Sequence, residues 1–259
     1  MSMAEFINTI DELGDDAVTD SIIMRNITVL KEDRITKLPD NALYFERGYQ
    51  KLKEIDLPEC TSIGVMALYW CGGLTRVNFP KVTSMGTGAM HWCTALKAVD
   101  MPSLKSVGND AFRETGLLQV SLPQLTAAGS MMLRGTAIST ITLPSATSLG
   151  SCSLYVCPYL EYADFPKVTY IDDYALSGCT KLKTLILRSN SVTTLKTSNS
   201  ISNTPIASGT GYVYVPRALV DSYKAATYWS AYPNQFRALE DYTVDGSVTG
   251  ALDESKILA

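Results

Sequence analysis

Leu52-Lys53-Glu54-Ile55-Asp56-Leu57-Pro58 returns five more times along the chain with its apolar spacing intact. Leu74, Val77, Phe79 and Pro80 repeat it, as do Leu96, Val99, Met101 and Pro102. Leu117, Val120, Leu122 and Pro123 follow, then Ile138, Ile141, Leu143 and Pro144, then Leu160, Ala163, Phe165 and Pro166. The prolines are 22, 22, 21, 21 and 22 residues apart. Self-similarity at a fixed period of this size marks a solenoid, in which no coil has enough apolar residues to close a core alone. The alternating apolar positions supply one strand per coil, paired in parallel with the strand of the next coil. Proline ends that strand because it has no N–H to give to a ladder.

The register continues past each proline. Two residues on stands Cys60, Val82, Leu104, Leu125, Ala146 or Val168; five on, Ile63, Met85, Val107, Ala128, Leu149 or Ile171. The next position is Gly64, Gly86, Gly108, Gly129, Gly150 and then Asp172, a pattern that predicts a positive φ or a tight turn. Thirteen residues after the proline comes Cys71, Cys93, Thr115, Thr136, Cys157 or Cys179. A degenerate coil follows at Leu182–Leu187, with Arg188 in place of proline, and an earlier one is visible at Ile35–Leu38 and Ala42–Leu43.

These columns resemble the BspA-type (treponemal) leucine-rich repeats of bacterial surface proteins, over roughly Ile35 to Leu187. The segment Tyr212–Trp229 is similar to the C-terminal end of that family. The resemblance implies an α/β leucine-rich-repeat solenoid, right-handed, with a parallel sheet on its concave face. It also implies protein or host-surface binding, with no catalytic residues and no cofactor.

The expected organisation is an N-terminal cap over 1–34, a solenoid of seven to eight coils over 35–188, a C-terminal cap over 189–242 and a weakly ordered tail over 243–259. Phe6, Ile7, Ile10 and Leu13 predict a short amphipathic helix over Ala4–Leu13, stopped by Gly14. Ser189–Gly211, rich in Ser, Thr and Asn, is expected to loop out. Tyr212–Val215 predicts a last strand, and Pro216–Tyr228 a helix laying Leu219, Val220, Tyr223 and Ala226 over the end coil. The net charge of −4 argues against a nucleic-acid partner, and no apolar run is long enough for membrane insertion. The first twelve residues carry acids where a secretion leader needs bases, which reads as a naturally leaderless chain. The resemblance places it at a cell surface or outside the cell. The leaderless start leaves a structural or tail-associated component of a bacteriophage or prophage particle as the alternative.

Four of the six cysteines share one column with two threonines, which predicts buried free thiols in preference to disulfides or a metal site. The only histidine, His91, would have to serve any catalytic set, with Cys93 or Asp110 as partner. It occupies a position that the repeat elsewhere gives to Tyr69, Arg113, Arg134 and Tyr155, and reads as an ordinary variable surface residue; no enzyme is expected. Stacking should align Tyr69, Trp70, His91, Trp92, Arg113, Arg134 and Tyr155 into an aromatic ridge grading into arginine, the composition of binding hot spots. The alternative is that Trp70 and Trp92 turn inward as end-of-core filler. A second candidate surface is the sheet face, with Glu54, Asp56, Arg76, Asn78, Asp100, Gln119, Tyr162 and Asp164 pointing outward.

Overall fold

The computed structural model describes residues 27–44 and 51–257. The predicted helix over Ala4–Leu13 lies outside the described residues. What is described is the expected parallel-sheet solenoid, of about nine turns with little helix. Its first ladder runs Val29–Lys31, Glu54–Asp56, Arg76–Asn78, Ala98–Asp100, Gln119–Ser121, Thr140–Thr142, Tyr162–Phe165, Thr184–Leu187, Tyr212–Val215 and Phe236–Ala238. Its register keeps one apolar column inward: Ile55 beside Val77, Val99 beside Val120, and Ile141, Ala163, Leu185, Val213 and Phe236 in succession. A second ladder of two-residue strands runs from Lys37–Leu38 through Ser62–Ile63 to Thr194–Leu195.

A third set of bonds joins the coils where no strand is drawn. Residues eight, ten and twelve after each of the first five prolines donate their N–H groups to carbonyls of the next coil, as do those ten and twelve after Pro166. Met66, Leu68 and Trp70 bond Thr87, Ala89 and His91 at 2.8–2.9 Å, and Gly88, Met90 and Trp92 bond Asn109, Ala111 and Arg113 at 2.8–3.0 Å. The residues between them bond backward within their own coil, as Tyr69 N–H does to the Met66 carbonyl. Such a one-way pattern needs alternating right- and left-handed backbone. Accordingly φ is 52° at Met66, 63° at Trp70, 61° at Trp92, 57° at Asp110, 53° at Glu114 and 55° at Val156.

This corrects the expected role of the glycine column. Gly64, Gly86, Gly108, Gly129 and Gly150 are not among the residues with positive φ. They are glycines because coils touch there: a Cβ on Gly108 would lie 2.3 Å from Thr87 N, and one on Gly86 2.5 Å from Val65 N.

The first ladder is also less continuous than predicted. It falls into sheets of three, two and five strands, broken after Arg76–Asn78 and after Gln119–Ser121. The second ladder breaks after Ser106–Val107. At each break the inward valine, Val77, Val120 or Val107, is only partly buried, whereas Ile55, Val99 and Ile141 are buried.

The C-terminal third departs most from expectation. Ser189–Gly211 does not loop out; Thr194–Leu195 pairs with Tyr170–Ile171, and Ile201 and Ile206 join the core. The helix expected over Pro216–Tyr228 is reduced to a 3-10 turn and one α-helix, Val220–Ala225. Trp229 then turns in as a fully buried plug, its indole N–H on the Thr193 carbonyl at 2.6 Å, beside Tyr223 and Phe236. Phe236–Ala238 adds a further strand to the ladder. Residues 243–257, expected as a weakly ordered tail, form a strap: Thr243 pairs with Leu252 in an antiparallel bridge, and Val248, Leu252 and Ile257 pack over Ile186, Tyr214 and Leu239.

The cysteine column is buried, and each thiol has an acceptor. Cys71, Cys93, Cys157 and Cys179 donate to the carbonyls of Leu43, Leu68, Leu133 and Leu154 in the preceding coil, at 3.1–3.4 Å. Thr115 and Thr136 donate instead within their own coil, to Phe112 and Leu133 at 2.8 Å. These are the two coils one residue shorter than the rest: Thr115 and Leu117 flank one connector residue, whereas Cys71 and Leu74 flank two. Burial pushes the Cys93 thiol well above its ordinary range, and the Cys157 contact followed by burial does the same for Cys179.

Two outcomes are expected. Thiol reagents should label Cys71, Cys93, Cys157 and Cys179 only on unfolding, and reductant should leave the melting temperature unchanged; prompt labelling of these four by mass spectrometry would contradict the packing. Gly108→Ala should cost about 2–3 kcal/mol in urea titrations through its clash with Thr87, while Val156→Gly should gain about 1 kcal/mol by relieving a β-branched residue at positive φ.

Candidate functional site

The columns eleven and twelve residues after each proline ride on the third bond ladder, outside the core that Leu68, Met90, Phe112, Leu133, Leu154 and Leu176 occupy. Their side chains are therefore carried outward, one coil apart. Tyr44, Tyr69, Trp70, His91 and Trp92 form one continuous ring cluster. Tyr69 lies 5.3 Å from Tyr44, 5.1 Å from His91 and 5.6 Å from Trp92 between ring centres. Trp70 and Trp92 are 5.0 Å apart and His91 and Trp92 4.4 Å. Both tryptophans are half-buried and outside the core cluster, so they do not serve as inward filler.

Beyond the rings, Arg113 pairs with Asp110 at 3.0 Å, and both Arg113 and Arg134 reach the Met131 sulfur. The Arg134 guanidinium sits 5.3 Å above the Tyr155 ring, and Tyr155 meets Tyr174 edge-on at 6.0 Å. Tyr174 escaped the sequence reading because it comes from a different column, eight after the proline; left-handed backbone turns that column outward too.

On the sheet face the predicted residues divide in two. Glu54 pairs with Arg76 at 3.5 Å; Asp56 accepts from Asn78 at 2.7 Å and pairs with Lys31 at 3.0 Å. The Asn78 bond, then Lys31, hold the Asp56 carboxyl below its ordinary range. Asp100 and Gln119 are exposed. Tyr162 and Asp164, by contrast, lie under the C-terminal strap. Arg188 grips Asp164 through two nitrogens at 3.0–3.2 Å and donates to the carbonyls of Val248 and Gly250 at 2.7 and 3.1 Å. Burial lifts the Asp164 carboxyl above its ordinary range despite the guanidinium beside it. The face open to a partner thus ends near Thr142.

Against this geometry the comparisons with known proteins are direct. A family model described as BspA type leucine rich repeat region matches in six copies over residues 1–97 and 83–205. The chain belongs to the BspA-type leucine-rich-repeat family. Among solved structures, a leucine rich cell surface protein from Faecalibacterium prausnitzii A2-165 is similar at 21% identity and TM-score 0.54, over 73% of this chain and 60% of that one. A leucine-rich repeat protein from Bacteroides ovatus ATCC 8483 aligns at 25% identity and TM-score 0.46, over 62% and 43% of the two chains. The pneumococcal vaccine antigen PcpA aligns at 18% identity and TM-score 0.42, over 69% and 53%. The chain spans less than two thirds of the length of each of these proteins. No curated protein matches it.

Within this BspA-type array His91 is not the surface residue predicted. It is 7% exposed, enclosed by Tyr69 and Trp92, and its Nε2 is buried without a partner. Cys93, its imagined catalytic partner, spends its thiol on Leu68, and Asp110 spends its carboxylate on Arg113. Burial first, and Arg113 second, push the imidazole pKa down to about 4. No group of three or more potential metal ligands occurs among the described residues, and none of their helices is long and apolar enough to cross a membrane.

A histidine with a depressed folded-state pKa binds fewer protons folded than unfolded. Its contribution is complete above about pH 6.5 and is lost as pH falls toward 4, about 3 kcal/mol in all. Urea midpoints at pH 7 and pH 4.5 should diverge in the native protein and diverge less in His91→Phe, where lowered carboxyls such as Asp56 and Asp172 still titrate. An equal pH dependence in both proteins would refute the burial of His91.

Proposed function

We propose that the chain is a non-catalytic recognition module, binding a protein or glycan at a cell surface through its solenoid. The observation that carries this reading is the position of Trp70 and Trp92. They stand at φ 63° and 61°, in a column where two other coils use Gly135 and Gly178. A bulky residue in left-handed backbone costs on the order of 1 kcal/mol, and in the outward position it gains ring contacts with Tyr69 and His91 but no place in the core. The half-exposed edges of these rings suit a partner, since Trp and Arg dominate binding hot spots.

The ridge from Tyr69, Trp70 and Trp92, with His91 buried beneath the rings, through Arg113 and Arg134 to Tyr155 is the primary contact surface in this reading. The open sheet residues Glu54, Asp56, Arg76, Asn78, Asp100 and Gln119 are a second contact surface. Membership of a leucine-rich-repeat family, typically non-catalytic, supports the assignment, as does the description of the F. prausnitzii protein as a cell surface protein.

The test is a protein and glycan array probed with the native chain and with Trp70→Ala/Trp92→Ala. The double variant, which uncovers His91, should melt lower but stay folded, and should lose about 100-fold or more in affinity for whatever the native chain captures. Unchanged capture by a variant altered in both the ridge and the open sheet face would overturn the reading.

A further inference from the structure

The break between Gln119–Ser121 and Thr140–Thr142 opens a groove of about 420 Å3 between two strands of the open sheet face. Gln119, Ser121, Thr140 and Thr142 line it together with Val120 and Ile141, and Pro123 and Pro144 stand where the strands end. We propose that this groove is a binding site for a neutral, hydroxyl-rich ring: one hexose unit, free or at the end of a glycan.

Four features select that class. The lining holds no Asp, Glu, Lys, Arg or His, so an ionised ligand would surrender hydration with no counter-charge to receive it. The volume lies near the lower end of the roughly 300–1,000 Å3 usual for ligand sites, which suits one ring and not an extended peptide. The flanking strands are not paired with each other, so each turns main-chain N–H and C=O groups toward the gap. With an amide and three hydroxyls beside them, these call for a ligand that both donates and accepts, as sugar hydroxyls do. Finally, Val120, half-buried where its counterparts Val99 and Ile141 are covered, offers an apolar floor to the C–H face of a ring. The site does not depend on the aromatic ridge, which is built from other columns.

The experiment uses the whole chain with the methyl glycosides of glucose, galactose and mannose, and glucuronate as the charged control. Saturation-transfer and amide-shift NMR should show at least one neutral glycoside binding in the millimolar range, with shifts centred on residues 119–123 and 140–144, and no binding of glucuronate. Val120→Phe, which fills the floor, should abolish binding. Gln119→Ala, at an exposed position that folding does not need, should weaken it by about tenfold, the loss of one good hydrogen bond. Trp70→Ala/Trp92→Ala should bind the glycoside as the native chain does, which separates this site from the ridge. Tighter binding of an oligosaccharide ending in the same hexose would assign the glycan end as the source, and equal binding the free sugar. The proposal is overturned if no neutral glycoside shifts the groove residues, if glucuronate binds as well, or if Gln119→Ala and Val120→Phe leave binding unchanged.

Discussion

The distance between neighbouring coils governs the whole molecule. At the glycine corners backbone meets backbone so closely that a single methyl group would lie 2.3–2.8 Å from the preceding turn. From there the chain enters a segment in which every second N–H group reaches forward to the following coil. That segment works only with alternating backbone handedness, and the alternation throws two columns of side chains outward. The aromatic ridge is thus a by-product of how the coils are fastened, filled in these coils with rings. The strands opposite must follow the same spacing, and at three places they part.

Stacked coils reward repetition, so the fold was largely legible from the chain. A column that must be buried in every coil shows itself in every coil, as Leu52, Leu74, Leu96, Leu117, Ile138 and Leu160 do. Columns defined by backbone conformation carry a weaker mark. Trp70, Trp92, Glu114, Gly135, Val156 and Gly178 share one φ and no chemical property, so only the coordinates reveal what they have in common. Glycine misled for the same reason: its permissive backbone and its missing Cβ leave the same letter in the sequence.

The ends were harder to read, because each cap forms once and has no second copy to confirm it. Ser189–Gly211 looks like linker by composition. Yet its Thr193 side chain bonds the Val168 carbonyl, its Thr193 N–H donates to the Tyr223 hydroxyl, and its Thr193 carbonyl accepts from the Trp229 indole. Residues 243–257 have few apolar groups, but Val248, Leu252 and Ile257 suffice to cover Ile186 and Tyr214, and Arg188 fastens them. Arg188 replaces the proline of its repeat; what looked like decay of the motif is the anchor of the strap. His91 was misjudged because its column is polar in other coils, and only the neighbouring rings enclose it here.

The forward-reaching bonds also give one side of the solenoid a polarity. In each coil the N–H groups at these positions face the C-terminal end and the matching carbonyls face the N-terminal end. Aligned peptide dipoles add, as they do along a helix. Along this side of the coil the positive ends point toward the strap, the reverse of a helix of the same chain direction. The second ladder runs against it, for Thr83 and Gly86 give their N–H groups back to Thr61 and Ile63. Two sides of each coil thus carry opposed rows of peptide dipoles.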